Sequence, residues 1–207
     1  MVYETSPVDV YLSPSVQDWN YGYGTYGTEE YRMNLIADVV QYDLQRHGVT
    51  VVRNSPDMTL TQIVNESNAY APKIHVAIHS NASENHEARG PAVYVQRFGL
   101  RSEQLANDIY SQLAAIAPTD GFGVKEGISE FGGKSYYELR RTTAPAVLIE
   151  VAFHDNPADA QYIIDNIVEI GIAISKGILE YLGVPYTPDT EENLAYLRQK
   201  YNGVYPE

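Results

Sequence analysis

Cysteine is absent from this chain of 207 residues. Neither disulfides nor thiolate ligands are therefore available, and any metal must be held by imidazole, carboxylate or amide oxygen. Long apolar runs are also missing: nothing approaches the ~18 consecutive apolar residues that span a bilayer. The amino terminus, Met1-Val-Tyr-Glu, lacks the basic and apolar regions of a signal peptide. The expectation is a soluble chain with no export address. A substrate outside the cytoplasm would then require a removed leader or release by another protein. Positive charge is scarce, with 14 Lys and Arg against 27 Asp and Glu and a net charge of −13. No basic cluster offsets that balance, which argues against nucleic acid and anionic membrane as partners. Phenylalanine is rare too, at 4 residues, whereas tyrosine reaches 18. That ratio predicts half-buried rings with wet hydroxyls, which suit carbohydrate contact.

What is present is enough for one sizeable core: 44% of residues are hydrophobic and 20% charged. Val8 to Leu12 reads as a short buried strand, followed by a polar Gly- and Tyr-rich loop from Ser13 to Gly27. Thr28 is placed to cap a helix in which Leu35, Ile36, Val39, Val40 and Leu44 recur, closed by His47-Gly48. Val49 to Arg53 predicts a strand, Thr61 to Ala69 a helix, Ile74 to Ser80 a buried strand and Val93 to Gln96 another. Glu103 to Ile116 has helical periodicity. Signals are mixed from Phe122 to Arg141, with Phe131-Gly-Gly marking a bend. Ala146 to Val151 is a core strand, and Pro157 opens one long helix to about Tyr181. The fold class expected is α/β, a largely parallel twisted sheet of about six strands flanked by helices. Residues 1–186 would form the catalytic domain and 187–207 a linker with a short helix; no internal repeats occur.

In open α/β sheets, ligands bind beyond the carboxyl ends of the strands, so the polar residues that follow each strand come first. After the first strand come Gln17 and Asp18, and then Glu29-Glu30 at a helix start. The third strand ends in His79-Ser-Asn81, and the last ends in Glu150, followed by His154. Parallel strands bring all of these to one edge. Imidazole and carboxylate without thiolate suit an open catalytic zinc site, with a further carboxylate as general base.

Four segments, Glu30-Tyr-Arg-Met-Asn-Leu, Gly48-Val-Thr-Val-Val-Arg53, Val76-Ala-Ile-His-Ser-Asn-Ala82 and Pro145-Ala-Val-Leu-Ile-Glu-Val-Ala-Phe-His-Asp-Asn156, occur in that order. Together they resemble the zinc-dependent N-acetylmuramoyl-L-alanine amidases, from about Val8 to Tyr181. The resemblance implies a peptidoglycan hydrolase that cuts between the lactyl group of N-acetylmuramic acid and L-alanine. It implies Zn2+ held by His, Glu and His, with a separate catalytic Glu. Carried over, Glu30 and His79 are metal ligands and Glu150 is the catalytic residue. Where the family has Asp-Pro-Gly-His-Gly-Gly after the first strand, this chain reads Ser13-Pro-Ser-Val-Gln-Asp18. The third ligand is then Gln17, an amide replacing imidazole without a change of charge, or His154 from the other side. Asn81, Arg140 and Arg141 are candidate substrate contacts, and Tyr21 to Tyr26 a loop that presents rings to sugar or stem peptide.

Weighed singly, Glu29 reads as a first-turn acid complementing the helix dipole. His75 lies roughly 13 Å from His79 at ~3.3 Å per residue, too far to share a metal, and reads as structural. A carboxylate ending the run Val-Leu-Ile, as Glu150 does, is costly to bury unless paired or near a metal. Besides the amidase, two readings stand: a catalytically impaired peptidoglycan-binding relative, and a zinc peptidase acting within the stem peptide. The protein is expected to work on the cell wall as a monomer.

Overall fold

In the computed structural model, which describes residues 7–130 and 133–205, strands and helices alternate. The strands are β1 (Val10–Pro14), β2 (Val51–Arg53), β3 (Ile74–Asn81), β4 (Ala92–Val95), β5 (Gly123–Glu126) and β6 (Ala146–Phe153). The helices are α1 (Glu29–Arg46), α2 (Leu60–Tyr70), α3 (Arg101–Ala114), α4 (Gly127–Glu130), α5 (Tyr137–Arg141), α6 (Pro157–Asp165), α7 (Ile167–Leu182) and α8 (Glu191–Tyr201). One six-stranded sheet has the order β2-β1-β3-β6-β4-β5. It is parallel except where β4 runs antiparallel to β6. Among the described residues no helix is long and apolar enough to cross a membrane.

The pleat divides the sheet's residues between two unequal layers. Val10 and Leu12 of β1, Ile74, Val76 and Ile78 of β3, and Val147, Ile149 and Val151 of β6 belong to the main core, with α1, α3 and α7. The alternate residues Ala77, Ala92, Tyr94, Ala146 and Leu148 form a smaller cluster with Leu139 of α5. This second layer is thin, so residues that share its phase, His75, His79 and Glu150, meet polar neighbours instead of a thick apolar layer. On the thick side α7 packs closely because it carries Gly177: a Cβ there would come within 2.4 Å of the Ile109 Cα.

The expected elements form with two differences. The long helix from Pro157 breaks at Asn166, whose backbone leaves helical geometry at φ −129° while its side-chain amide donates to the Tyr162 carbonyl. Periodic isoleucines run across the break and hid it. The second difference lies between Phe122 and Arg141, where mixed signals resolve into β5, α4 and α5. Of the bend expected at Phe131-Gly-Gly, Phe131 and Gly132 lie outside the described residues. The terminal helix α8 packs on α7, with Leu197 and Tyr201 buried, and Gly203 N–H donates to the Ile164 carbonyl.

Candidate active site

Where β1, β3 and β6 end side by side, a cavity of about 600 Å3 opens between the β1–α1 loop and α5. Thr28 caps α1 by accepting the Tyr31 N–H, which fixes the two glutamates at the helix start. Successive helical positions differ by about 100°, so only one of the two can face the cavity. Glu29 does. It is 1% exposed; its Oε1 accepts from His79 Nδ1 at 2.7 Å, and its Oε2 accepts from Asn20 Nδ2 at 2.6 Å. Burial would raise its carboxyl, but the hydrogen bond and charge of His79 outweigh that and hold it low.

Glu30, the glutamate assigned from the family register, is placed elsewhere. It lines a separate depression with Asp18, Asp57 and Met58, and burial together with Asp18 raises its carboxyl. The cavity-facing place at the helix start, expected for Glu30, is taken by Glu29, for which a dipole role alone was expected.

His79 is pinned between carboxylates. Glu29 takes Nδ1, and Glu138 Oε2 lies 3.8 Å from Nε2. Burial would lower the imidazole's affinity for a proton, but the two glutamates raise it well above the ordinary histidine value. Glu138, at 3% exposure, also accepts from His75 Nε2 at 3.0 Å and from the Ser13 hydroxyl. Ser67 Oγ meets the other His75 nitrogen at 2.9 Å. One carboxylate thus bridges two histidines four residues apart on β3. The network's histidines hold Glu138 well below the usual carboxylate range despite its burial. Sequence reasoning did not single out Glu138; two histidines on one face of a buried strand were the available signal that a counter-charge stands between them.

Glu150, on the neighbouring strand in register with His79, lines the same cavity. It is 7% exposed, and its Oε2 has no hydrogen-bond partner. Burial, opposed by His79 and reinforced by Glu29, pushes its carboxyl up to about 8. Such a group exchanges protons near neutral pH, as an acid–base residue must.

His154 lies in the cavity wall, buried, its Nδ1 bonded to Ser80 Oγ at 2.8 Å and its ring 5.5 Å from that of Tyr26. Gln17 also lines the cavity, and its Oε1 accepts from the same Asn20 amide that binds Glu29. Asn81 lines it as well. Arg140 and Arg141 are exposed outside the wall; the Arg140 guanidinium lies 5.0 Å from the ring centre of Tyr137, which does line it.

Among the described residues no three His, Asp or Glu side chains are grouped to hold a metal. His154 is not grouped with Glu29 and His79: its Nδ1 is taken by Ser80 Oγ and its ring lies against Tyr26, while its charge still reaches Glu29. Glu138 cannot share an ion with Glu29 either, since the two address opposite nitrogens of His79. A third donor to an ion beside Glu29 and His79 would be of another kind. The Gln17 amide oxygen, one Asn20 amide away from Glu29, fits: imidazole, carboxylate and amide oxygen carry the same net charge as two imidazoles and a carboxylate. The unpartnered oxygen of Glu150 in the same cavity adds a buried acceptor with no protein partner.

The family model for N-acetylmuramoyl-L-alanine amidase matches residues 10–180. The chain belongs to this family. LytC, the N-acetylmuramoyl-L-alanine amidase of Bacillus subtilis, is 28% identical over 157 residues, 73% of this chain and 30% of LytC. LytH, a probable cell wall amidase of Staphylococcus aureus, is 28% identical over 131 residues, 63% of this chain and 41% of LytH. The chain thus spans less than half the length of either relative. Among solved structures, the catalytic domain of CwlV, an N-acetylmuramoyl-L-alanine amidase from Bacillus (Paenibacillus) polymyxa var. colistinus, superposes with a TM-score of 0.76. It is 24% identical, with 86% of this chain and 99% of that one covered, and it establishes the shared fold. The family is generally zinc-dependent, and Glu29, His79 and Gln17 are side chains of this cavity with suitable donor atoms.

Proposed function

We propose that this member of the family hydrolyses the amide bond between N-acetylmuramic acid and the L-alanine of the stem peptide in cell-wall peptidoglycan, acting as a monomer. The observation that carries the reading is the buried Glu150 carboxyl, with one oxygen unpartnered, in the same cavity as the Glu29–His79 pair. Glu29, His79 Nδ1 and Gln17 Oε1 would hold zinc, which when bound supplies Lewis acidity to the scissile carbonyl and the attacking water.

The chain's own residues do the rest. Val16, Trp19 and Leu148 wall the cavity with apolar surface, which limits water and keeps Glu150 desolvated. Glu150 accepts a proton from the attacking water and returns it to the departing L-alanine nitrogen. The C–N bond breaks, leaving a lactyl carboxylate and a free amine. Asn20 holds Glu29 through Oε2 and so leaves Oε1 directed at His79. Glu138 fixes the far side of the His79 ring.

The test is Glu150→Gln. Release of stem peptides from purified walls is expected to fall at least ~1000-fold, from the loss of acid–base catalysis and of a charge at the reacting bond. Fold by circular dichroism and bound zinc by elemental analysis should be retained. Full activity in that variant would overturn the assignment. The substitution of Gln17 for imidazole favours a second reading, a peptidoglycan-binding relative with weak metal affinity; zinc absent from the purified wild-type protein would favour it.

A further inference from the structure

A second, shallower cavity of about 410 Å3 is lined by Tyr21, Gly22, Tyr23, His86, Asp155 and Pro157, close in sequence to residues that line the first. Three chain segments supply residues to both cavities. Trp19 leads to Tyr21 and Tyr23, Ala82 to His86, and His154 to Asp155. Three of the loop's four aromatic rings are outward, Trp19 70% exposed, Tyr21 72% and Tyr23 57%, while Tyr26 is buried. Rings this exposed gain nothing for the fold.

The loop is nonetheless fixed. Tyr21 forms a bridge with Thr28, Gly22 N–H donates to the Gly27 carbonyl, and Tyr23 N–H donates to the His154 carbonyl at 2.8 Å. Gly22 lies so close on the Tyr26 ring that a Cβ would come within 2.4 Å of it. In the same lining, Asp155 Oδ2 accepts from Ser83 N–H at 2.8 Å and from His86 Nδ1 at 2.7 Å, while its Oδ1 has no protein partner. His86 holds the left-handed backbone at φ +57°, and its imidazole is 67% exposed. Tyrosine rings and an oriented imidazole–carboxylate pair in one lining suit a saturated ring, with C–H groups for the tyrosines and hydroxyl or acetamido groups for the polar pair. No Lys or Arg lines the cavity, Asp155 does, and the chain's net charge of −13 repels anions, which favours an uncharged occupant.

We infer that this second cavity is a glycan subsite, in which Tyr21 and Tyr23 stack on an N-acetylated sugar of the strand next to the muramyl residue being cut. This deepens the amidase reading and rests on it. The subsite is preorganised, so it contributes to substrate affinity with little ordering cost.

The experiment uses the full chain, with Tyr21→Ala and Tyr23→Ala combined, and Tyr21→Phe with Tyr23→Phe as the variant that keeps both ring faces. Titration with an N-acetylglucosamine tetramer, read by NMR, is expected to shift His86 and the two tyrosines in wild type. Affinity should fall at least tenfold in the Ala pair and less than threefold in the Phe pair. Hydrolysis of long glycan strands should show KM raised about tenfold in the Ala pair with kcat held. A single muramyl dipeptide without flanking sugar should be cut equally by both proteins. Equal loss on both substrates, no loss on either, or shifts confined to the first cavity would overturn the subsite. Failure of wild type to cut any muramyl peptide would overturn the amidase reading alone, since the tetramer titration still judges the subsite.

Discussion

Glu29 Oε1 stands 2.7 Å from His79 Nδ1, although the two residues lie 50 positions apart and Glu30 is the one that holds the family's spacing to Asn34. One residue at the helix start decides which carboxylate faces the cavity. Glu29→Gln should lower zinc affinity at least ~100-fold, more than the 10–100-fold typical of an outer-sphere change. Glu30→Gln should leave zinc affinity within about threefold of wild type. Competition with a chromogenic chelator checks both, and the reverse pattern would restore Glu30 to the metal.

Gln17 carries the weakest donor of the proposed set. Gln17→His should tighten zinc about tenfold or more, since imidazole binds zinc better than an amide does. The same competition assay applies. An unchanged affinity would show that residue 17 does not face the metal.

Glu138 serves as the counter-charge of a buried pair of histidines, so its loss should be felt in stability first. Glu138→Gln is expected to cost about 3 kcal/mol, the usual consequence of removing one partner from a buried ion pair. For a chain of this length that is a fall in Tm of roughly 6–12 °C. The pH dependence has a definite sign. A carboxyl held below its unfolded value stabilises the fold above a pH of about 4.3, and that stabilisation is lost as pH falls toward the lowered folded value. The gap between wild type and Glu138→Gln, measured by thermal melts in chelator, should therefore be wide at pH 6 and shrink progressively as pH falls below 4. A gap independent of pH would show that Glu138 acts by packing alone.

The sheet was legible because each strand announced itself as a short apolar run and each helix as a period, with Thr28 and Pro157 as start signals. The parallel arrangement of β1, β3 and β6 followed from that alternation, and with it the convergence of Gln17, His79 and Glu150 on one edge. Three things were not legible. A one-residue register at the start of α1 cannot be read from spacing to Asn34, because Glu29 and Glu30 both precede the same apolar stripe. Glu138 sits in a short helix whose residues carry no clear period, so its burial follows only from tertiary packing against β3. The break at Asn166 was masked by isoleucines that continue on both sides.

The central claim is the bond that is cut. Mass spectrometry of peptidoglycan digested by the zinc-loaded protein tests it most directly. The account predicts intact stem peptides with a free L-alanine amino terminus and glycan strands ending in unsubstituted lactyl groups. Stem fragments cut between amino acids, with L-alanine still joined to muramic acid, would contradict it.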